Sequence, residues 1–200
     1  MTERRVLGAA EFTELLHALG RRLAAKGIDA ALYVVGGAAI ALTHDSRRLT
    51  VDVDCVAHPK VDVEREAQLL AIERGLPDDW LNCRAAGWIP ALPVDWETTG
   101  ADYSGLRIHL ADARTLVAMK LISDRTRDFA DLVTLFPAAG ITRPEHAVEL
   151  VHAAYPDGAG TKMPTDANIL LDAEAALAAI AAQDASSPPT PPVPPGTPRY

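Results

Sequence analysis

The sequence predicts an α/β (α+β) fold: a small mixed sheet flanked by helices, followed by a helical C-terminal part. Three observations carry that expectation. Apolar residues recur at helical spacing near the N-terminus, short apolar or alternating runs then interleave with helical segments, and the stretch before the tail is rich in alanine and leucine.

From Ala9 to Lys26, the residues Phe12, Leu15, Leu16, Leu19 and Leu23 fall on one face of an amphipathic helix, which Gly27 closes. "ALYVVGG" reads as a short buried strand, and "GAAIALTHD" as a brief helix launched from the glycines. "LTVDVDCVA" is a second strand, and "VDVEREAQLLAIERGL" is a helix ending at Gly75. The stretch from Pro77 to Gly105 holds all three tryptophans and reads as loops with one or two short strands, placed around Pro93 to Glu97. "LRIHLAD" is a strand in which Leu106, Ile108 and Leu110 alternate with Arg107 and His109. Asp112 caps the next helix, "ARTLVAMKLISDR", and "TRDFADLVTLF" follows with a stop at Pro137. Thr142 is the expected cap of a helix with Pro144 just inside it, and Asp166 to Gln183 forms the last helix. The organisation is therefore an α/β domain over 1–140, a helical appendage over 141–183 and a disordered or polyproline-like tail over 184–200.

Composition narrows the function. Two hundred residues at 48% hydrophobic content can build one core without a disulfide framework, and two cysteines, Cys55 and Cys83, without C-x-x-C spacing point to a reducing, cytoplasmic setting. No run of 18 apolar residues is present, and the N-terminus reads as neither signal nor anchor, so no membrane role is expected. A net charge of −8 argues against coating nucleic acid by charge alone. Arg21, Arg22 and Lys26, at one helix end, form either a local basic patch or a solvated terminus.

The chemistry concentrates in "VVGGAAIALTHDSRRLTVDVDC", Val34 to Cys55. Strand alternation places Thr50, Asp52 and Asp54 on one face and Val51, Val53 and Cys55 on the other, so the apolar face pins both carboxylates outward, about 7 Å apart along the strand. Two like charges so placed are unfavourable unless a cation or water screens them, and Mg2+ takes such carboxylates together with substrate phosphates. Gly36 and Gly37 sit at a strand-to-helix junction, where backbone N–H groups and the helix N-terminus favour an anion. Neither the G-x-G-x-x-G nor the G-x-x-x-x-G-K phosphate loop is present.

These residues, Gly36, Gly37, Arg48, Thr50, Asp52 and Asp54, resemble the signature of the DNA polymerase β-like nucleotidyltransferase superfamily. The likeness is to its small bacterial branch, which includes nucleotidyltransferase toxins of the AbiEii/MenT type. "LVAMKLISDRTRDFADL" resembles a later motif of that branch through Lys120, Arg127, Asp128, Asp131 and Leu132, and "DDWLN" is similar to a tract between the two in some members. The resemblance covers roughly residues 28 to 137. On a continuous helix Lys120, Asp124, Asp128 and Asp131 share one face.

The resemblance implies a nucleotidyltransferase fold and a magnesium-dependent transfer of a nucleoside monophosphate from a nucleoside triphosphate to a tRNA or protein acceptor. It extends to the toxin of a toxin–antitoxin pair with a cognate antitoxin. It implies Asp52 and Asp54 as metal ligands, with Lys120 and Asp131 beside them in catalysis. Gly36, Gly37, Arg48, Thr50 and Asp128 are the implied nucleotide-binding residues. Gly37 stands where many members carry serine, and the superfamily's third carboxylate is open between Asp95, Glu97 and Asp112. Those departures favour the alternative, a non-catalytic nucleotidyltransferase-fold module that binds or regulates.

Overall fold

A computed structural model describes residues 5–90, the backbone of 97–98, residue 103, and 105–123, 125–158 and 163–186. Within them, helices α1 (Ala9–Ala25), α2 (Gly36–Thr43), α3 (Lys60–Arg74), α4 (Ala113–Ser123), α5 (Phe129–Ala139), α6 (Pro144–Ala154) and α7 (Asp166–Ser186) pack around a sheet. Its strands are β1 (Ala30–Val35), β2 (Val53–His58), β3 (Leu81–Asn82), β4 (Glu97–Thr98) and β5 (Leu106–Leu110). The strand order is β3-β2-β1-β5-β4. β1 runs antiparallel to β2 and parallel to β5, β2 is parallel to β3, and β4 is antiparallel to β5, so the sheet is mixed as expected.

The predicted stripe of α1 is the face that packs: Phe12, Leu15, Leu16, Leu19 and Leu23 are all buried. In β5 the alternation holds, with Leu106, Ile108 and Leu110 buried and Arg107 exposed. The α3 helix ends where its glycine predicts, because Gly75 adopts the left-handed conformation at φ 64°. Asp112 caps α4 by accepting the Thr115 N–H at 2.7 Å. Helices α6 and α7 contribute Leu150, Val151, Ile169 and Ala173 to the same buried cluster as the sheet.

Several boundaries differ from the sequence reading. β2 begins at Val53, because Thr50 pairs instead with Leu7 of the N-terminal segment, exchanging both backbone hydrogen bonds at 2.8 and 3.0 Å. Val51 is consequently only half-buried, while Val53 and Cys55 are fully buried. Pro137 does not stop α5: it lies inside the last turn, and Gly140 at φ 70° ends the helix. The residue that caps α6 is Arg143 rather than Thr142, with Pro144 at the first position as expected. α7 continues past Gln183 to Ser186. Within the stretch read as loops, Leu81–Asn82 forms β3 and Arg84–Trp88 a 3-10 turn. Of the strand placed around Pro93 to Glu97, residues 91–96 lie outside the described residues, as does the tail from 187 onward. Among the described residues, no helix is long and apolar enough to cross a membrane.

Candidate active site

The site is built on the junction of β1, α2 and β2. β1 ends in Val35, whose register partner on β2 is Asp54. Gly36 then turns the chain at φ 66° into α2, and no side chain caps that helix N-terminus. A Cβ at Gly36 would stand 3.1 Å from Asp54 Oδ2, and one at Gly37 would stand 2.9 Å from Thr50 Oγ1. Two separate constraints therefore demand glycine at position 36: the left-handed backbone, which costs another residue about 1–2 kcal/mol, and the carboxylate packed against its α-carbon. The glycine pair and the acidic strand thus meet, with first-turn N–H groups that have no intrahelical partner beside the Asp54 carboxylate and the Thr50 hydroxyl.

Asp52 lies just before β2 and is half-buried, like Asp54. Its Oδ2 accepts from Asn82 Nδ2 at 3.3 Å. The tract "DDWLN" delivers that amide. Trp80 is fully buried and donates its indole N–H to the Ala67 carbonyl at 3.0 Å, while the Trp80 carbonyl accepts from Val53 N at 2.7 Å. The anchored tryptophan lays Leu81 and Asn82 alongside β2, with Asn82 in register with Asp54. Asn82 Oδ1 in turn accepts from Arg84 N at 3.1 Å, which fixes the orientation of the amide.

The second motif folds into a compact ion cluster. The condition of a continuous helix is not met, because α4 is Ala113–Ser123 and a 3-10 turn, Thr126–Asp128, precedes α5. Lys120, Asp128 and Asp131 converge nonetheless. Lys120 Nζ lies 2.7 Å from Asp128 Oδ1 and 2.7 Å from Asp131 Oδ2, and the two carboxylates are almost wholly buried. Asp124, the fourth member of the expected face, lies outside the described residues. Burial alone would push the Asp128 carboxyl up, but the hydrogen bonds from Lys120 and Ser123 outweigh it and hold that carboxyl below its ordinary value. Arg48 joins the motifs: its Nη2 donates to Asp131 Oδ2 at 3.0 Å and its Nε lies 2.7 Å from Oδ1. Asp131 therefore holds two cations, one from each motif.

The three candidates for a further carboxylate are placed differently. Asp112 is committed to capping α4. The Glu97 backbone, on β4, pairs with Leu110 of β5, and β1 and β5 separate β4 from β2; the Glu97 side chain and all of Asp95 lie outside the described residues. The described side chain that reaches Asp52 from the neighbouring strand is instead the amide of Asn82. Among the described residues, no three His, Cys, Asp or Glu side chains gather closely enough to hold a metal. Asp54, beside the glycine turn, and Asp52, two residues before it, offer oxygen donors only, the type that a hard divalent cation completed by a ligand's own oxygens takes.

Sequence reasoning missed Asn82 and Ser123 as partners of the acidic groups. The tract "DDWLN" was the available signal for the first. Of the basic patch left open on α1, Arg22 and Lys26 are committed to ion pairs. Lys26 Nζ lies 2.5 Å from the buried carboxylate of Glu66, and Arg22 pairs with Glu66 and, at 2.6 Å, with Glu73. These cations join α1 to α3.

The chain is of the nucleotidyltransferase class, through a family model that spans both the glycine-launched helix and the carboxylate-bearing strand. More narrowly, the chain belongs to the family described as "Nucleotidyltransferase of unknown function (DUF6036)", whose model matches residues 12–136. That match runs from α1 into α5 and includes both motifs. No curated protein and no solved structure matches the chain.

Proposed function

We propose that this protein is a magnesium-dependent nucleotidyltransferase that moves a nucleoside monophosphate from a nucleoside triphosphate to an RNA, in particular a tRNA, or to a protein. The observation that carries the reading is the close approach of the glycine turn to Asp54 of the acidic pair, in which a Cβ at Gly36 would stand 3.1 Å from Asp54 Oδ2. A helix N-terminus attracts phosphate while adjacent carboxylates repel it, and a divalent cation shared between them reconciles the two.

In this reading Asp52 and Asp54 hold the cation, and Asn82 keeps Asp52 in position. Magnesium, when bound, neutralises phosphate charge as pyrophosphate departs. Gly36 and Gly37 supply backbone N–H groups to the phosphates, and Thr50 flanks Gly37. Arg48 or Lys120 meets the charge on the leaving pyrophosphate, and Asp131 positions both of them, with Asp128 sharing Lys120. The acceptor oxygen forms a bond to the α-phosphorus, the α–β phosphoanhydride bond breaks, and the acceptor proton passes to water. The resemblance to AbiEii/MenT-type toxins supports a tRNA or protein acceptor and a cognate antitoxin. The engagement of Arg22 and Lys26 with Glu66 and Glu73 leaves less basic surface on α1 for RNA.

The test is transfer of label from α-labelled nucleoside triphosphates to cellular RNA and protein, wild type against Asp52→Ala/Asp54→Ala. Labelling by the wild type alone supports the assignment, and equal labelling by both would sink it. A second reading, the non-catalytic module, draws on Asn82, an amide where the acidic pair meets its neighbouring strand. It predicts nucleotide binding without transfer, or neither.

A further inference from the structure

Cys55 and Cys83 are far apart in sequence, yet their sulfurs lie 3.8 Å from each other. The fold explains the meeting. β2 and β3 run parallel with Val53 opposite Leu81 and Asp54 opposite Asn82, so one step further along both chains brings Cys55 beside Cys83. Neighbouring strands place such Cα atoms about 5 Å apart, inside the range that a disulfide spans. The two thiols differ in access: Cys55 is fully buried in the core face of β2, whereas Cys83 is partly exposed at the start of the 3-10 turn.

We propose that Cys55 and Cys83 form a reversible dithiol–disulfide site on the core face of β2, opposite Asp54, reduced at rest and oxidised by hydrogen peroxide. Cys83, the sulfur that solvent reaches, attacks the peroxide: its S–O bond forms, the O–O bond breaks, and the leaving oxygen takes a proton and departs as water. Cys55 then attacks the sulfenic sulfur. The S–S bond forms, the S–O bond breaks, and the hydroxyl leaves with the Cys55 proton as a second water. Two thiols are oxidised and one peroxide is reduced to two waters, with no other reactant. Burial protects Cys55 from direct over-oxidation, and its position makes it the resolving thiol.

Closing the bond to about 2.05 Å requires the sulfurs to approach by nearly half their present separation. Cys55 sits mid-strand in the core, so the segment carrying Cys83 moves. Asn82 is its immediate neighbour and donates to Asp52 at 3.3 Å, so oxidation displaces the amide that holds Asp52. That last consequence bears on catalysis only if the nucleotidyltransferase reading holds; formation of the disulfide does not depend on it.

The experiment treats the full chain with hydrogen peroxide and counts thiols after denaturation, with peptide mapping under non-reducing conditions. The expected result is loss of both titratable thiols per chain, a Cys55–Cys83 linked peptide in monomeric protein, and full return on addition of dithiothreitol. In Cys55→Ser, dimedone should trap Cys83 as the sulfenic acid; in Cys83→Ser, Cys55 should stay unreacted. Thiols that survive peroxide, disulfides found only between chains, or a Cys83 that dimedone never captures would each overturn the proposal. Nucleotide titration of the oxidised protein is read separately. Unchanged affinity with the disulfide present would refute the coupling to Asp52 and leave the redox site standing.

Discussion

Replacing Lys120 with methionine tests whether the second motif is a working ion cluster or a decorated surface. The substitution keeps most of the stem and removes the ammonium that lies 2.7 Å from both Asp128 and Asp131. All three side chains are largely buried, Lys120 at 13% exposure and the two carboxylates at 6% and 4%. Removing one partner from a buried pair costs about 3–5 kcal/mol, because the charge left behind has lost its water. Arg48 and Ser123 still touch the carboxylates, so the cost falls at the lower end, about 3 kcal/mol. At a urea slope of about 2 kcal/mol/M, the unfolding midpoint drops by about 1.5 M.

The pH dependence follows with a definite sign. In the wild type the folded-state carboxyl of Asp128 is held below its ordinary value of 3.8, so its contribution is present above that value and is lost as pH falls through the lowered one. In the variant the main opposing hydrogen bond is gone, burial raises the same carboxyl, and the penalty grows with pH. The difference between the two proteins should therefore be full at pH 7 and shrink on approach to pH 4. Urea denaturation followed by circular dichroism at both pH values decides the matter. A midpoint shift under about 0.5 M at pH 7, as a surface pair would give, or a shift of equal size at both pH values, would refute the reasoning.

Two further outcomes follow from the site geometry. Gly36→Ala should lose about 1–2 kcal/mol from the left-handed backbone and force Asp54 aside, lowering both the melting temperature and nucleotide affinity; an unchanged affinity would separate the glycine turn from ligand binding. Asn82→Asp exchanges a donor for a third carboxylate beside Asp52, which should lower the melting temperature by about 5 °C without metal and raise divalent affinity. Thermal melts with and without Mg2+ read both effects, and a variant that gains nothing from Mg2+ would argue against a cation at this place.

Much of this fold was legible because burial writes itself into periodicity. The α1 stripe and the β5 alternation are each the pattern of one buried face, and both proved to be that face. The terminations were harder. Pro137 lies inside the last turn of α5 without ending it, and Thr50 leaves the β2 ladder for Leu7, a partner 43 residues away that no local pattern announces. The site divided in the same way. Alternation and the glycine pair pointed to Asp54 facing Gly36, and the geometry gives a direct contact. Ser123 and the Cys55–Cys83 approach were not legible, because each arises from tertiary placement, and the tract that carries Asn82 did not show which group its amide would meet. A two-residue strand anchored by Trp80 carries no periodicity of its own. The convergence of Lys120 with Asp128 was anticipated from helical spacing, yet it comes about through a broken helix and a 3-10 turn.

The central claim is that Gly36, Gly37, Asp52 and Asp54 form one magnesium–nucleotide site, and calorimetric titration tests it most directly. ATP, CTP, GTP and UTP are each titrated into the wild type with Mg2+, with a chelator, and into Asp52→Ala/Asp54→Ala. The account predicts that at least one nucleotide binds with Mg2+ and that chelation or the double substitution abolishes the heat. Absence of binding by all four, or binding indifferent to both metal and the two aspartates, would contradict it.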